Sequence, residues 1–127
     1  MRARARLVLA LFAWLLVAPS FAVGQSFDQA SFDRLIKSGR PTLVMVHADW
    51  CPTCRAQAAI VAQLLKTPGL SEITALRVDF DAQASVVKSF KATQQSTLIV
   101  FKNGREVGRS IGDSHQDSIE ALLRRAI

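Results

Sequence analysis

Between Leu43 and Arg55 a short apolar strand runs straight into a Cys-x-x-Cys pair at the start of a helix, an order that constrains everything around it. Leu43-Val44-Met45-Val46 is an unbroken apolar run, which suits a strand buried on both faces in a parallel or mixed sheet. Pro52 falls where a first helical turn tolerates proline, because its missing N–H would be unpaired there anyway. From Cys54 the chain reads as a helix to Lys66, with Ala56, Ile60, Val61, Leu64 and Leu65 predicted as its apolar face. Cys51 is thereby placed at the helix N-terminus, where free N–H groups and the positive end of the dipole favour a thiolate. A thiolate is the attacking species in disulfide exchange, and Cys54, one turn further in, is placed to resolve the mixed disulfide.

Two other readings compete for the pair. A zinc knuckle needs two further ligands at comparable spacing, yet the chain has no third cysteine and only His47 and His115. A purely structural bridge closing so small a loop would add little stability.

Upstream lies a targeting pattern. Arg2, Arg4 and Arg6 form a positive n-region, Leu7 to Val17 an apolar h-region, and Ala18 to Ala22 a small-residue exit. Residues 1–22 are therefore expected to be a signal peptide cleaved after Ala22, with Gly24 offering a second site. The competing reading, an uncleaved anchor, asks too much of so short an apolar run interrupted by Pro19. Export would place the protein in the periplasm or an equivalent compartment, where two cysteines inside one motif imply redox chemistry and not a disulfide framework.

Three of the 16 Lys and Arg belong to the leader, which leaves thirteen against ten Asp and Glu in residues 23–127. That scattered excess gives solubility and no nucleic-acid footprint. The remaining length suits one domain.

The rest of that domain alternates. Ser26 and Asp28 are candidate caps for a helix to Ser38, Ile73–Phe80 reads as a strand and Ala82–Lys91 as a helix. Thr97–Phe101 and Glu106–Ile111 read as strands joined by a hairpin at Asn103-Gly104. Asp113 or Ser114 is expected to cap a last amphipathic helix. Phe80, Phe90 and Phe101 read as core, and Gly112 as a point of close backbone approach. The implied architecture is α/β, a mixed sheet with helices on both faces.

The chain from about Phe27 to Ile127 resembles the thioredoxin family. The likeness is carried by Ala48-Asp-Trp-Cys-Pro-Thr-Cys54, by Val78-Asp79, and by Thr97-Leu-Ile-Val-Phe-Lys-Asn-Gly104 followed by Gly112. It implies a thioredoxin-like fold in which Cys51 attacks and Cys54 resolves. A partner's disulfide would dock as an extended segment against Trp50, Pro52 and the Gln95-Ser96-Thr97 loop. No cofactor or metal is expected.

Two departures bear on mechanism. Ser96 stands where the family carries a cis-proline, and a cis bond before a non-proline costs about 2.5–4 kcal/mol, so Gln95-Ser96 is expected trans. The Ser96 hydroxyl would then either weaken docking passively or donate a hydrogen bond to the Cys51 thiolate. Met45 and Ala75 stand where the family places a buried aspartate and the lysine that pairs with it. Deprotonation of Cys54 must therefore use water, the substrate or a neighbour such as His47 or Asp49.

The expected activity is exported thiol:disulfide exchange, more as reductant than oxidant, by a monomer recharged by a membrane electron-transfer protein and acting on protein disulfides. The alternatives are a non-catalytic protein-binding module and a metal or iron–sulfur carrier; the latter needs outside ligands or a dimer to reach four.

Overall fold

Strand β2 (Thr42–His47) sits at the middle of the sheet, with every residue buried except His47. The computed structural model describes residues 22–127, so the leader expectation lies outside the described residues apart from Ala22. In chain order the elements are β1 (Gln25–Ser26), α1 (Gln29–Lys37), β2, α2 (Pro52–Leu64), β3 (Thr74–Asp79), α3 (Ala84–Ser89), β4 (Thr97–Lys102), β5 (Arg105–Ile111) and α4 (Gln116–Arg124). The five strands lie in the order β1-β3-β2-β4-β5. β2 pairs parallel with β3 and antiparallel with β4, and β5 closes the far edge antiparallel to β4. This is the mixed sheet the sequence implied.

Alternation along β2 divides the core into two layers. Leu43 and Met45 pack with Val61 and Leu64 of α2 and with Ile119, Leu122 and Leu123 of α4. Val44 and Val46 face the other way, onto Phe27, Val87, Ile99 and Phe101. Phe32 and Phe90 complete that side, meeting edge to face with ring centroids 5.1 Å apart. Helices thus cover both faces, and the C-terminal end of β2 delivers the chain directly to the cysteines.

Several local expectations change. The two-residue strand β1 was not foreseen; it pairs with β3 and takes up Ser26, so Asp28 alone caps α1, accepting from the N–H groups of Ala30 and Ser31. Helix α3 starts two residues later than expected because Asp79 Oδ1 accepts from the N–H groups of Asp81 and Ala82, making a turn of the residues before it. At the hairpin, Asn103 and Gly104 have φ of 52° and 79°, as a two-residue turn with both central residues left-handed requires. Gly112 owes its place to φ of 70° and not to close approach, for a side chain there would meet open space.

Candidate active site

The geometry starts at Ala48. Its carbonyl accepts from Cys51 N at 3.1 Å, turning the chain out of β2, and Cys51 in extended conformation (φ −88°, ψ 113°) becomes the N-cap of α2. Pro52 is the first residue of the helix, as the sequence predicted, and is exposed. Cys51 Sγ accepts from the N–H of Cys54 at 3.1 Å, doing for this helix what a serine or aspartate cap does elsewhere. Both cysteines are free thiols, 4% and 1% exposed.

Cys54 lies one turn inside, in a small cluster with Ala48 and Cys51 against which Phe80 packs. Phe80, read from the sequence as core, therefore also walls the site. Burial, chiefly, and the hydrogen bond with Cys51 push the Cys54 thiol up to about 11, while backbone groups of Ala48 and Ser96 pull weakly the other way. The inner sulfur is held protonated until the attack that needs it.

Trp50 lies beside this pair, 57% exposed. Its indole Nε1 donates to Asp81 Oδ2 at 2.7 Å, so the ring is held over the rim by the loop after β3. Arg55 Nη1 ties back to the Asp49 carbonyl at 2.9 Å, bracing the loop from the other side.

The loop before β4 carries the remaining expected residues. Gln95 is half-buried, and Ser96 and Thr97 are buried. No cis peptide occurs among the described residues, so Gln95-Ser96 is trans, and Ser96 adopts φ of 57°, a left-handed conformation unusual for a residue with a side chain. Its backbone is fully engaged: Ser96 N donates to the Val46 carbonyl at 2.8 Å, and its own carbonyl accepts from Gly112 N at 2.9 Å and from Gln57 Nε2 at 3.0 Å. The Ser96 hydroxyl makes no hydrogen bond to Cys51, whose sulfur is bonded instead by the Cys54 amide. Thr97 Oγ1 donates to the Gln94 carbonyl and so shapes the loop and not the thiols.

Gln57 was missed in the sequence. It is 2% exposed on the inner face of α2, while Ala56, expected there, is exposed. Its carboxamide also donates to the Asp113 carbonyl at 2.7 Å. The polar letter in an amphipathic helix gave no sign of partners 39 and 56 residues away.

Beneath the site, Met45 and Ala75 are both buried in the apolar layer. The substitution leaves no carboxylate there. His47 Nε2 pairs with Asp49 Oδ1 at 2.9 Å, with the histidine largely covered and the carboxylate fully exposed, and neither side chain is hydrogen-bonded to a cysteine. Farther out, Asp113 accepts from His115 N and Ser118 Oγ. That trio gathers at the start of α4, where Ser118 Oγ also donates to the His115 backbone carbonyl at 3.1 Å and makes no bond to the imidazole, so it is no nucleophile relay. Among the described residues no group of three or more His, Cys, Asp or Glu is placed to hold a metal ion.

The chain resembles known proteins over almost all of this unit. The family model for thioredoxin matches residues 23–125. A thioredoxin of Chlamydia trachomatis is 32% identical over 101 residues, covering 80% of this chain and 96% of that protein. The thioredoxin of Chlamydia muridarum is 34% identical over the same shares of each chain. Among solved structures, the protein Trxlp of Edwardsiella tarda superposes with a TM-score of 0.75 at 37% identity, covering 78% of this chain and 98% of that one.

Proposed function

This chain belongs to the thioredoxin family and is a thiol:disulfide oxidoreductase, and from that premise we propose that it is an exported reductant of protein disulfides. The Cys51 thiolate attacks one sulfur of the partner's disulfide; the S–S bond breaks, a mixed disulfide forms and the other partner sulfur leaves as a thiolate. Cys54 then gives up its proton, which the departing thiolate can take, and attacks Cys51. The partner gains two electrons and the Cys54 proton, its second sulfur leaves as a thiolate that water protonates, and the enzyme is left with a Cys51–Cys54 disulfide.

The observation that carries the reductant reading is the hydrogen bonding at Cys51. Strongly oxidising pairs owe their potential to a stabilised reduced form. Here the outer sulfur receives the Cys54 amide and nothing from Ser96, so the dithiol lacks that extra support. The leader-like pattern of residues 1–22 supports export, and an exported reductant needs electrons from across the membrane, which points to a membrane electron-transfer protein as donor. The domain works as a monomer in this reading.

The test is the equilibrium potential of residues 23–127, titrated against glutathione with Trp50 fluorescence as reporter. A value near that of thioredoxin, about −270 mV, is expected; one near −120 mV, roughly where strong oxidants lie, would make the protein a disulfide donor. In the native host, an N-terminus beginning at Val23 in the exported fraction is expected, and a retained Met1 in the cytosol would refute export.

A further inference from the structure

We propose that Gln57 is a positioning residue for disulfide exchange: it fixes the Ser96 loop against the helix that carries both cysteines and thereby sets how well a protein disulfide docks. The inference needs thiol:disulfide exchange alone and is independent of direction and compartment.

Gln57 follows Cys54 by three residues, one helical turn, and so lies on the same face of α2. The neighbouring inward positions, Val61 and Leu64, are apolar and fully packed. A carboxamide in such surroundings is destabilising unless its donors are satisfied. Both N–H groups of this one are: one meets the Ser96 carbonyl at 3.0 Å and the other the Asp113 carbonyl at 2.7 Å. The side chain therefore joins the redox helix to the loop before β4 and to the loop between β5 and α4.

The Ser96 loop needs such a fixture. Proline would set its backbone through a ring; Ser96 has no ring and occupies a left-handed conformation that its side chain disfavours. Three hydrogen bonds hold it there, to the Val46 carbonyl, from Gly112 N and from Gln57. The first two tie the loop to the sheet and to the segment after β5. Among the described residues Gln57 is the side chain that ties it to α2 by a hydrogen bond, and so it helps fix the distance between the docking loop and the sulfurs. A small disulfide that meets only the thiolate does not depend on this distance, whereas a disulfide within a folded or extended chain must fit the loop and the thiolate together.

The test is Gln57→Met, which keeps length and volume while removing both donors. Steady-state reduction of insulin and of hydroxyethyl disulfide is compared, with dithiothreitol as electron donor. The ratio of kcat/KM for insulin to that for hydroxyethyl disulfide should fall about tenfold, mainly through KM for insulin. A ratio within about twofold of wild type, whether both rates hold or both decline, would overturn the proposal. In the unmodified protein, exchange of the Gln57 carboxamide protons followed by NMR should be at least about a hundredfold slower than for the exposed Gln63. Equal rates at the two side chains would overturn it without any variant having to fold.

Discussion

The indole N–H of Trp50 donates to Asp81 Oδ2 at 2.7 Å, across 31 residues of chain. This bond keeps a large exposed ring in one place beside the cysteines, where a mobile ring would have to be ordered each time a partner docks. Asp81→Ala should lower kcat/KM for a protein disulfide by about threefold to tenfold and change the emission of Trp50, the single tryptophan after residue 22. Both groups lie at the surface, so the urea midpoint should move little. Unchanged emission would show that the bond does not hold the ring in solution.

The two cysteines divide the reaction unequally. Cys54→Ser should leave a Cys51-linked mixed disulfide with the partner that accumulates and can be isolated, because nothing resolves it. Cys51→Ser should abolish turnover and yield no adduct, for the remaining thiol is 1% exposed and held protonated. Mass spectrometry after incubation with a protein disulfide separates the two outcomes.

The raised value at Cys54 makes the reduced protein sensitive to alkali. An unfolded cysteine ionises near its usual 9.0, while the folded Cys54 does so only at about 11. Folding stability should hold below about pH 9 and then fall, on the order of 1 kcal/mol per pH unit, until the folded thiol also ionises. Urea midpoints of the reduced protein at pH 8, 9, 10 and 11, roughly spanning that window, should show the decline. Cys54→Ala should flatten it.

Ser96 can be tested against the residue that the family resemblance would put there. Proline fixes φ near −65° and has no N–H, whereas Ser96 has φ of 57° and donates to the Val46 carbonyl. Ser96→Pro should therefore destabilise by about 3 kcal/mol unless the loop rebuilds. Ser96→Gly should be close to neutral, since relief of the left-handed conformation, about 1–2 kcal/mol, offsets the added freedom of the unfolded chain. Chemical denaturation of the three proteins gives the order, and a proline variant as stable as wild type would show that the loop does not need its present backbone.

The fold was legible wherever a local rule decides local structure. Pro52 after Cys51 specified a helix start, Asn103-Gly104 a two-residue hairpin, and the run from Leu43 to Val46 a central strand. The departures at Ser96, Met45 and Ala75 were legible too, because each is a single letter set against a motif. What stayed hidden depends on distant partners. β1 is two exposed residues whose only warrant is pairing with β3, and no periodicity exists over so short a stretch. Gln57 reads as an ordinary polar helix residue until the carbonyls of Ser96 and Asp113 arrive from elsewhere. The end of the chain shows the same limit: Asp113 acts at the start of α4, but by gathering His115 N and Ser118 Oγ around its carboxylate, while His115 itself occupies the cap position with no side-chain bond to the helix.

A proline ring is an all-or-none constraint, present or lost in a single substitution. The Ser96 loop is held by three separate hydrogen bonds, to the Val46 carbonyl, from Gly112 N and from the Gln57 side chain, and the last can be altered by changing a residue other than Ser96. Such a loop can be loosened or tightened at Gln57 while the cysteines and Ser96 stay as they are, an adjustment that a ring-locked loop does not offer.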